Sequence, residues 1–448
     1  MRDLVKAGLS FTWAMPLLGT QQLAAWLSPD AGRSRRAAAG LDAVTRAATG
    51  GLLDQEGLLG RLYQLGQCAQ EGLVNLLPTL LTPDLLYPST WLEVSAEVAQ
   101  RVLAATRQLA RGEGGLVLEE LRAKGEVFCL VLDVAKLIGV PSEPPFPLEE
   151  LLARAYGLGP FRALWAVEGL GKEYGDSFWN QGLVPQGILS DERTSGLPGR
   201  SLTMLDAGIG LSFAKYLLDR TSPRTSPAEL AATVSEIVRL GRDNARPGYL
   251  GAAWESLGLV TRTFHPDLVT SVDRILRATA PEVLGYYWHG VGRAVYFAPI
   301  NFLPGSDGLL FEMAAREAPD EPARLSAMAG AAWAYVLVAQ RNPEILASLV
   351  LDPYGDALAR TPAFANGVAS SVMMRFDTTP GAPFIESFLQ YRPSSPRLVA
   401  LWDRLVRIPG ETALAVYYPV IKQHNRLGDV FEYRDLADFV ARLQRRAA

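Results

Sequence analysis

Short glycine-led segments recur along the chain at nearly even intervals, and this recurrence limits the possible folds more than any other feature. They are Gly171-Lys-Glu-Tyr174, Gly210-Leu-Ser-Phe213, Gly251-Ala-Ala-Trp254, Gly292-Arg-Ala-Val295, Gly330-Ala-Ala-Trp333 and Gly367-Val-Ala-Ser370. Successive glycines stand 39, 41, 41, 38 and 37 residues apart. After each comes a turn rich in Pro, Asp or Gly, and often a second helical segment such as "SPAELAATVSEIVRLGRD", "HPDLVTSVDRILRATA" or "NPEILASLVLDP". A period near 40 residues with two helices per unit predicts stacked helix pairs. Glycine inside a helix costs about 0.5–1 kcal/mol relative to alanine. A position that accepts this cost again and again predicts a backbone pressed against a neighbouring helix, with the following aromatic filling the next layer.

The rest of the chain also reads as helical. Thr90 and Glu93 form a capping box ahead of "WLEVSAEVAQRVLAATRQLARGE", which ends at Gly114-Gly115. "LVLEELRAKGEVFCLVLDVAKLIG" is a second long helix stopped by Gly139 and Pro141, and Pro147 with Glu149-Glu150 opens a third. The strongest candidate strand is "LAVYYPVIK" from Leu414, which its own proline weakens. The expected fold is therefore all-α: a helical-repeat, α-solenoid-like array of helix pairs over residues 150–390. An N-terminal helical region over 31–145 precedes it, a C-terminal cap over 391–448 follows, and an apolar segment occupies 1–30.

Composition narrows the function classes. Forty-nine per cent hydrophobic residues and nine Trp suit a well-packed globular chain, and a net charge of -4 gives no basic field for nucleic acid. Cys68 and Cys129 lie in apolar settings and read as small core residues of a reducing, cytoplasmic protein. Three histidines are too few for a His-rich metal site, and neither a metal nor a cofactor is expected. From Ala7 to Pro29 no side chain is charged, yet Pro16, Gly19 and Thr20-Gln21-Gln22 interrupt a span, and Asp3 and Pro16 argue against a cleaved leader. Two readings remain for this stretch. One is a helix on the protein's own core; the other is an interfacial helix presenting Phe11, Trp13 and Trp26 to the inner membrane or a hydrophobic inclusion.

Catalytic signatures are missing: there is no His-Glu-x-x-His, no phosphate-binding Gly-x-x-x-x-Gly-Lys, no Gly-x-Ser-x-Gly elbow, and "GIGLSFA" lacks the dinucleotide spacing. The candidate ligand-binding residues come from the repeat helices. His289 and Arg293, at i and i+4, share one helix side and suit an anionic or carbonyl group. Glu255 and Lys215 follow the preceding repeat glycines and are placed to face the same groove or to form ion pairs between repeats. Trp254, Trp333 and Tyr296 supply its aromatic lining.

The segments "DAGIG" from Asp206, "HGVGRAVYF" from His289 and "MAGAAWAYVL" from Met328 resemble helices of an uncharacterised bacterial family encoded in enediyne-antibiotic gene clusters, a domain of unknown function. The resemblance covers roughly residues 156–391. It implies an accessory role in building or handling a hydrophobic polyketide-type product, and supplies no catalytic residues to transfer. The leading expectation is a non-enzymatic scaffold or binding protein whose concave surface holds a partner segment or an apolar small molecule. One alternative is an accessory enzyme or carrier in polyketide- or lipid-type metabolism with its site at His289 and Arg293. Another is a peripheral membrane or granule-surface protein anchored through residues 7–29.

Overall fold

A computed structural model describes residues 113–447, apart from the short segments 142–145, 192–193, 195, 223–224, 299–300 and 302–306. All the described residues lie within one compact unit of the chain. The expected apolar segment with Phe11, Trp13 and Trp26, Cys68 and the helix opening at Thr90 lie outside the described residues. Among the described residues every regular element is helical and none is a strand. The candidate strand from Leu414 is helix as well, because it continues without a break from Ile408–Thr412 into Tyr418–Gln423.

The helices that position the site are α1 (Gly114–Leu132), α2 (Pro160–Asn180), α3 (Leu202–Leu218), α4 (Pro227–Asn244), α5 (Leu250–Phe264), α6 (Val269–Thr279), α7 (Leu284–Tyr296), α8 (Glu321–Ala339) and α9 (Ala363–Thr378). Their ends follow local chemistry. Ser226 and Glu229 close a capping box on α4, and the Asp320 side chain accepts the Ala323 N–H at the start of α8. Gly139 ends the helix after α1 in the left-handed conformation at φ 65°.

Two kinds of helix alternate. α4 and α6 bury one stripe each, Leu230, Val234, Ile237 and Val238 on the first, Val269, Val272 and Leu276 on the second. α3 is buried from Leu202 to Ala214 without interruption, and α8 from Ser326 to Ala339. A helix buried all round must touch other helices on every side, and here the glycines make that contact possible. A methyl group added at Gly210 would sit 2.7 Å from Ala253 Cα, and one at Gly330 would sit 3.0 Å from His289 Cα. Gly171 and Gly208 face each other across α2 and α3, Gly258 and Gly290 serve the α5–α7 seam, Gly292 and Gly330 the α7–α8 seam, and Gly367 the α8–α9 seam. The expected row of close helix contacts, α2–α3–α5–α7–α8–α9, is present.

The row does not keep to its nearest neighbours as an open stack does. α2 meets α7 through Glu168 and Arg293, α8 through Trp165 and Trp333, and α9 through the Pro160 and Phe161 carbonyls, which accept from Arg375. The C-terminal segment also enters the row rather than closing its end. The Gly428 N–H donates to the Gly248 carbonyl, the Tyr286 hydroxyl donates to Asp429, and Phe431 is fully buried.

Candidate functional site

Close backbone approach brings short side chains together deep inside the row. Gly290 packs on the Glu255 main chain and Gly330 on that of His289, so α5, α7 and α8 meet at one level. There His289 Nδ1–H donates to Glu255 Oε1 at 3.2 Å, while the Arg293 guanidinium donates to Glu255 Oε2 at 3.2 Å and to Glu168 Oε2 at 2.6 Å. Glu168, Glu255 and His289 are wholly buried, and Arg293 is 2% exposed. Burying charge is tolerated only where it is paired and hydrogen-bonded, and these four side chains provide that for one another.

Aromatic rings enclose the quartet. The guanidinium carbon of Arg293 lies 4.9 Å from the Trp333 ring and 6.0 Å from that of Trp165, and the two indoles meet edge-on at 6.3 Å. His289 packs against Trp333 and Phe431 with ring centroids 6.0 and 6.1 Å away. Burial pushes the Glu168 carboxyl above its ordinary pKa, Arg293 opposes that and Glu255 adds to it. Burial alone would lower the Arg293 pKa, but attraction to Glu168 and Glu255 outweighs it and the net shift is upward. At the quartet and its enclosing indoles, four buried N–H or ring-nitrogen positions have no partner among the described residues: His289 Nε2, Arg293 Nε, Trp165 Nε1 and Trp333 Nε1.

The quartet borders a narrow apolar pocket with a free volume of about 90 Å³. Val127 and Val131 of α1, Leu211 of α3 and Leu259, Val260 and Phe264 of α5 form its walls. Leu132, 44% exposed, and the part-exposed Lys172 and Lys215 stand at its outer end. Trp165 and Arg293, both buried, form its inner end.

Of the residues singled out from sequence, His289, Arg293, Glu255 and Trp333 converge. Lys215 shares the pocket with Arg293; its ion-pair partner is Asp219, the cap of its own helix, at 2.6 Å, and its ammonium lies 4.6 Å from the Phe264 ring of α5. Two candidates lie elsewhere. The Trp254 indole donates to Val238 O at 3.2 Å, which turns it outward onto α4. The Tyr296 hydroxyl donates to Glu120 at 2.9 Å with the Lys124 ammonium 4.3 Å from its ring, a tie between α1 and α7. Trp254 and Trp333 occupy the same place in the Gly-Ala-Ala-Trp motif, yet Gly251 faces Gly428 and Tyr286 whereas Gly330 faces His289.

Sequence reasoning missed Glu168 and Trp165 of α2 and Phe431. The available signal was a glutamate inside the apolar run "LWAVEGLG", three residues before the first repeat glycine. It also missed two other buried ionic groups on the row, Asp206 of α3 and Arg375 of α9. Among the described residues no group of His, Cys, Asp and Glu side chains is arranged to hold a metal ion, and no helix is long and apolar enough to cross a membrane. Comparison of the chain with protein-family models, with curated proteins and with solved structures finds no match.

Proposed function

We propose that the protein is a non-enzymatic binding protein for a slender apolar small molecule, held in the pocket between α1 and the helix row. The observation that carries this reading is an apolar pocket lined at one end by part-exposed lysines and at the other by a buried arginine and indole. Pockets of mostly apolar lining with a few placed polar groups are where small ligands gain both affinity and orientation. The free volume of about 90 Å³ is smaller than the about 150 Å³ cavity that accepts benzene, so only the short apolar end of a ligand is enclosed and the rest extends past the outer end. We read the row itself as repeats of one helix-pair unit, with α4 and α6 as outer members.

The test is titration of the full chain with a neutral, environment-sensitive dye and its displacement by long-chain aliphatic compounds. Thr263→Trp, which fills the half-buried part of the pocket from α5, is expected to abolish displacement while leaving the melting temperature nearly unchanged. Undiminished binding in that variant counts decisively against the pocket. A second reading, an accessory enzyme, draws on the convergence of His289, Glu255 and Arg293. Both carboxylates are engaged by Arg293 in that quartet, and His289 does not line the pocket.

A further inference from the structure

The inner end of the pocket carries information about what it receives. Trp165 and Arg293 both line it, both are buried, and each has an N–H without a protein acceptor, Nε1 of the indole and Nε of the guanidinium. Neither position can accept a hydrogen bond, so only an acceptor on another molecule can satisfy them. Unmet buried donors are costly, and these two line the same pocket on side chains 6.0 Å apart, guanidinium carbon to ring centroid. Charge then narrows the acceptor. With both carboxylates ionised, Glu168 and Glu255 match or exceed all the positive charge that Arg293 and His289 can supply, so an arriving anion would find no surplus cation. The lysines at the outer end are likewise committed, Lys172 to Asp176 and Lys215 to Asp219, each at 2.6 Å.

We infer that the ligand is an uncharged, elongated apolar molecule that ends in a carbonyl group, inserted carbonyl first, with its oxygen accepting from Trp165 Nε1–H and Arg293 Nε–H. Ketones, aldehydes, esters and amides share this chemistry; long-chain carboxylates and plain hydrocarbons do not. The inference rests on the binding function proposed above and deepens it.

Competition against the neutral dye decides it, with three probes of equal chain length: a methyl ketone, an alkane and a carboxylate. The ketone is expected to bind about tenfold more tightly than the alkane, the worth of one or two buried hydrogen bonds, and more tightly than the carboxylate. Trp165→Phe keeps an aromatic ring without the N–H, and is expected to cut the ketone-to-alkane ratio several-fold. If that variant does not fold, the wild-type ratio alone gives the answer. Equal affinity for ketone and alkane, both lost in Thr263→Trp, overturns the carbonyl inference and leaves the apolar pocket standing. Tightest binding of the carboxylate overturns the uncharged class. Failure of all three probes to displace the dye overturns the pocket reading itself.

Discussion

Arg293 and Arg375 are buried to nearly the same degree, 2% and 0% exposed, on helices of the same row, yet their surroundings differ in kind. Arg293 faces two carboxylates. Arg375 faces none: it donates to Gln340 Oε1 at 3.1 Å and to the Pro160 and Phe161 carbonyls at 3.0 Å each, with Phe161 and Phe384 beside it. Burial and the nearby Arg341 lower its pKa to about 9, which still leaves it charged at neutral pH. The difference separates two uses of one residue type. At the end of the row the guanidinium ties α2, α8 and α9 together, and its N–H groups are taken up by the main chain and an amide. In the middle, compensation by charge leaves one N–H unmet at the edge of a pocket. Arg375 is saturated, whereas Arg293 keeps one N–H unmet beside free space, the feature on which the proposed binding role rests.

The sharpest way to break this comparison is to remove each arginine. Arg293→Met leaves Glu168 and Glu255 buried without a countercharge, and is expected to cost about 3–5 kcal/mol in denaturant unfolding. Adding Glu168→Gln to that variant should restore part of the loss; no recovery would mean that the carboxylates do not depend on Arg293. Arg375→Met strands carbonyls but no charge, so a smaller loss of about 1–3 kcal/mol is expected. A loss as large as that of Arg293→Met would erase the distinction.

Asp206 extends the comparison to an acid with no carboxylate-matched cation. Its Oδ1 accepts the Arg246 main-chain N–H at 3.1 Å and its Oδ2 has no partner. Burial raises its pKa well above the usual carboxylate value, against the lowering effect of Arg246. The folded protein therefore keeps a proton that the unfolded chain releases as pH rises above about 4, so this residue's contribution to stability falls with rising pH. Asp206→Asn keeps the oxygen that accepts from Arg246. It should match the wild type in stability near pH 3 and exceed it by about 1 kcal/mol at neutral pH. A constant offset across that range would show that titration is not the cause.

The smallest contrast concerns the glycines that let charged side chains sink between helices. Gly125→Ala, where an added methyl meets nothing within 4 Å, should raise stability by about 0.5–1 kcal/mol in thermal unfolding. The same change at Gly330, against the His289 main chain, should lower it. Equal responses at the two sites would mean that the seams are looser than the distances require.

Much of this was legible before any coordinates. The helical segments from Ser226 and Asn342 and the stop at Gly139 follow from chemistry within a few residues, and the close seams at Gly210, Gly292 and Gly330 from the regular spacing of the glycines. The pairing of His289 and Arg293 on one helix face belongs to the same class. Glu168 was hidden because nothing local distinguishes a buried, paired glutamate from a solvated one; its partner is 125 residues away.

The sequence by itself determined that the described residues are helical and carry a row of glycine seams, because helical periodicity and the absence of a Cβ act at short range. Only the tertiary structure decided that α2 folds back to meet α7, α8 and α9, that Trp333 turns inward while Trp254 turns outward, and that a pocket ends on Arg293. Those outcomes depend on which surfaces meet across long stretches of chain, and identical Gly-Ala-Ala-Trp motifs acquire different neighbours when the segments packed against them differ.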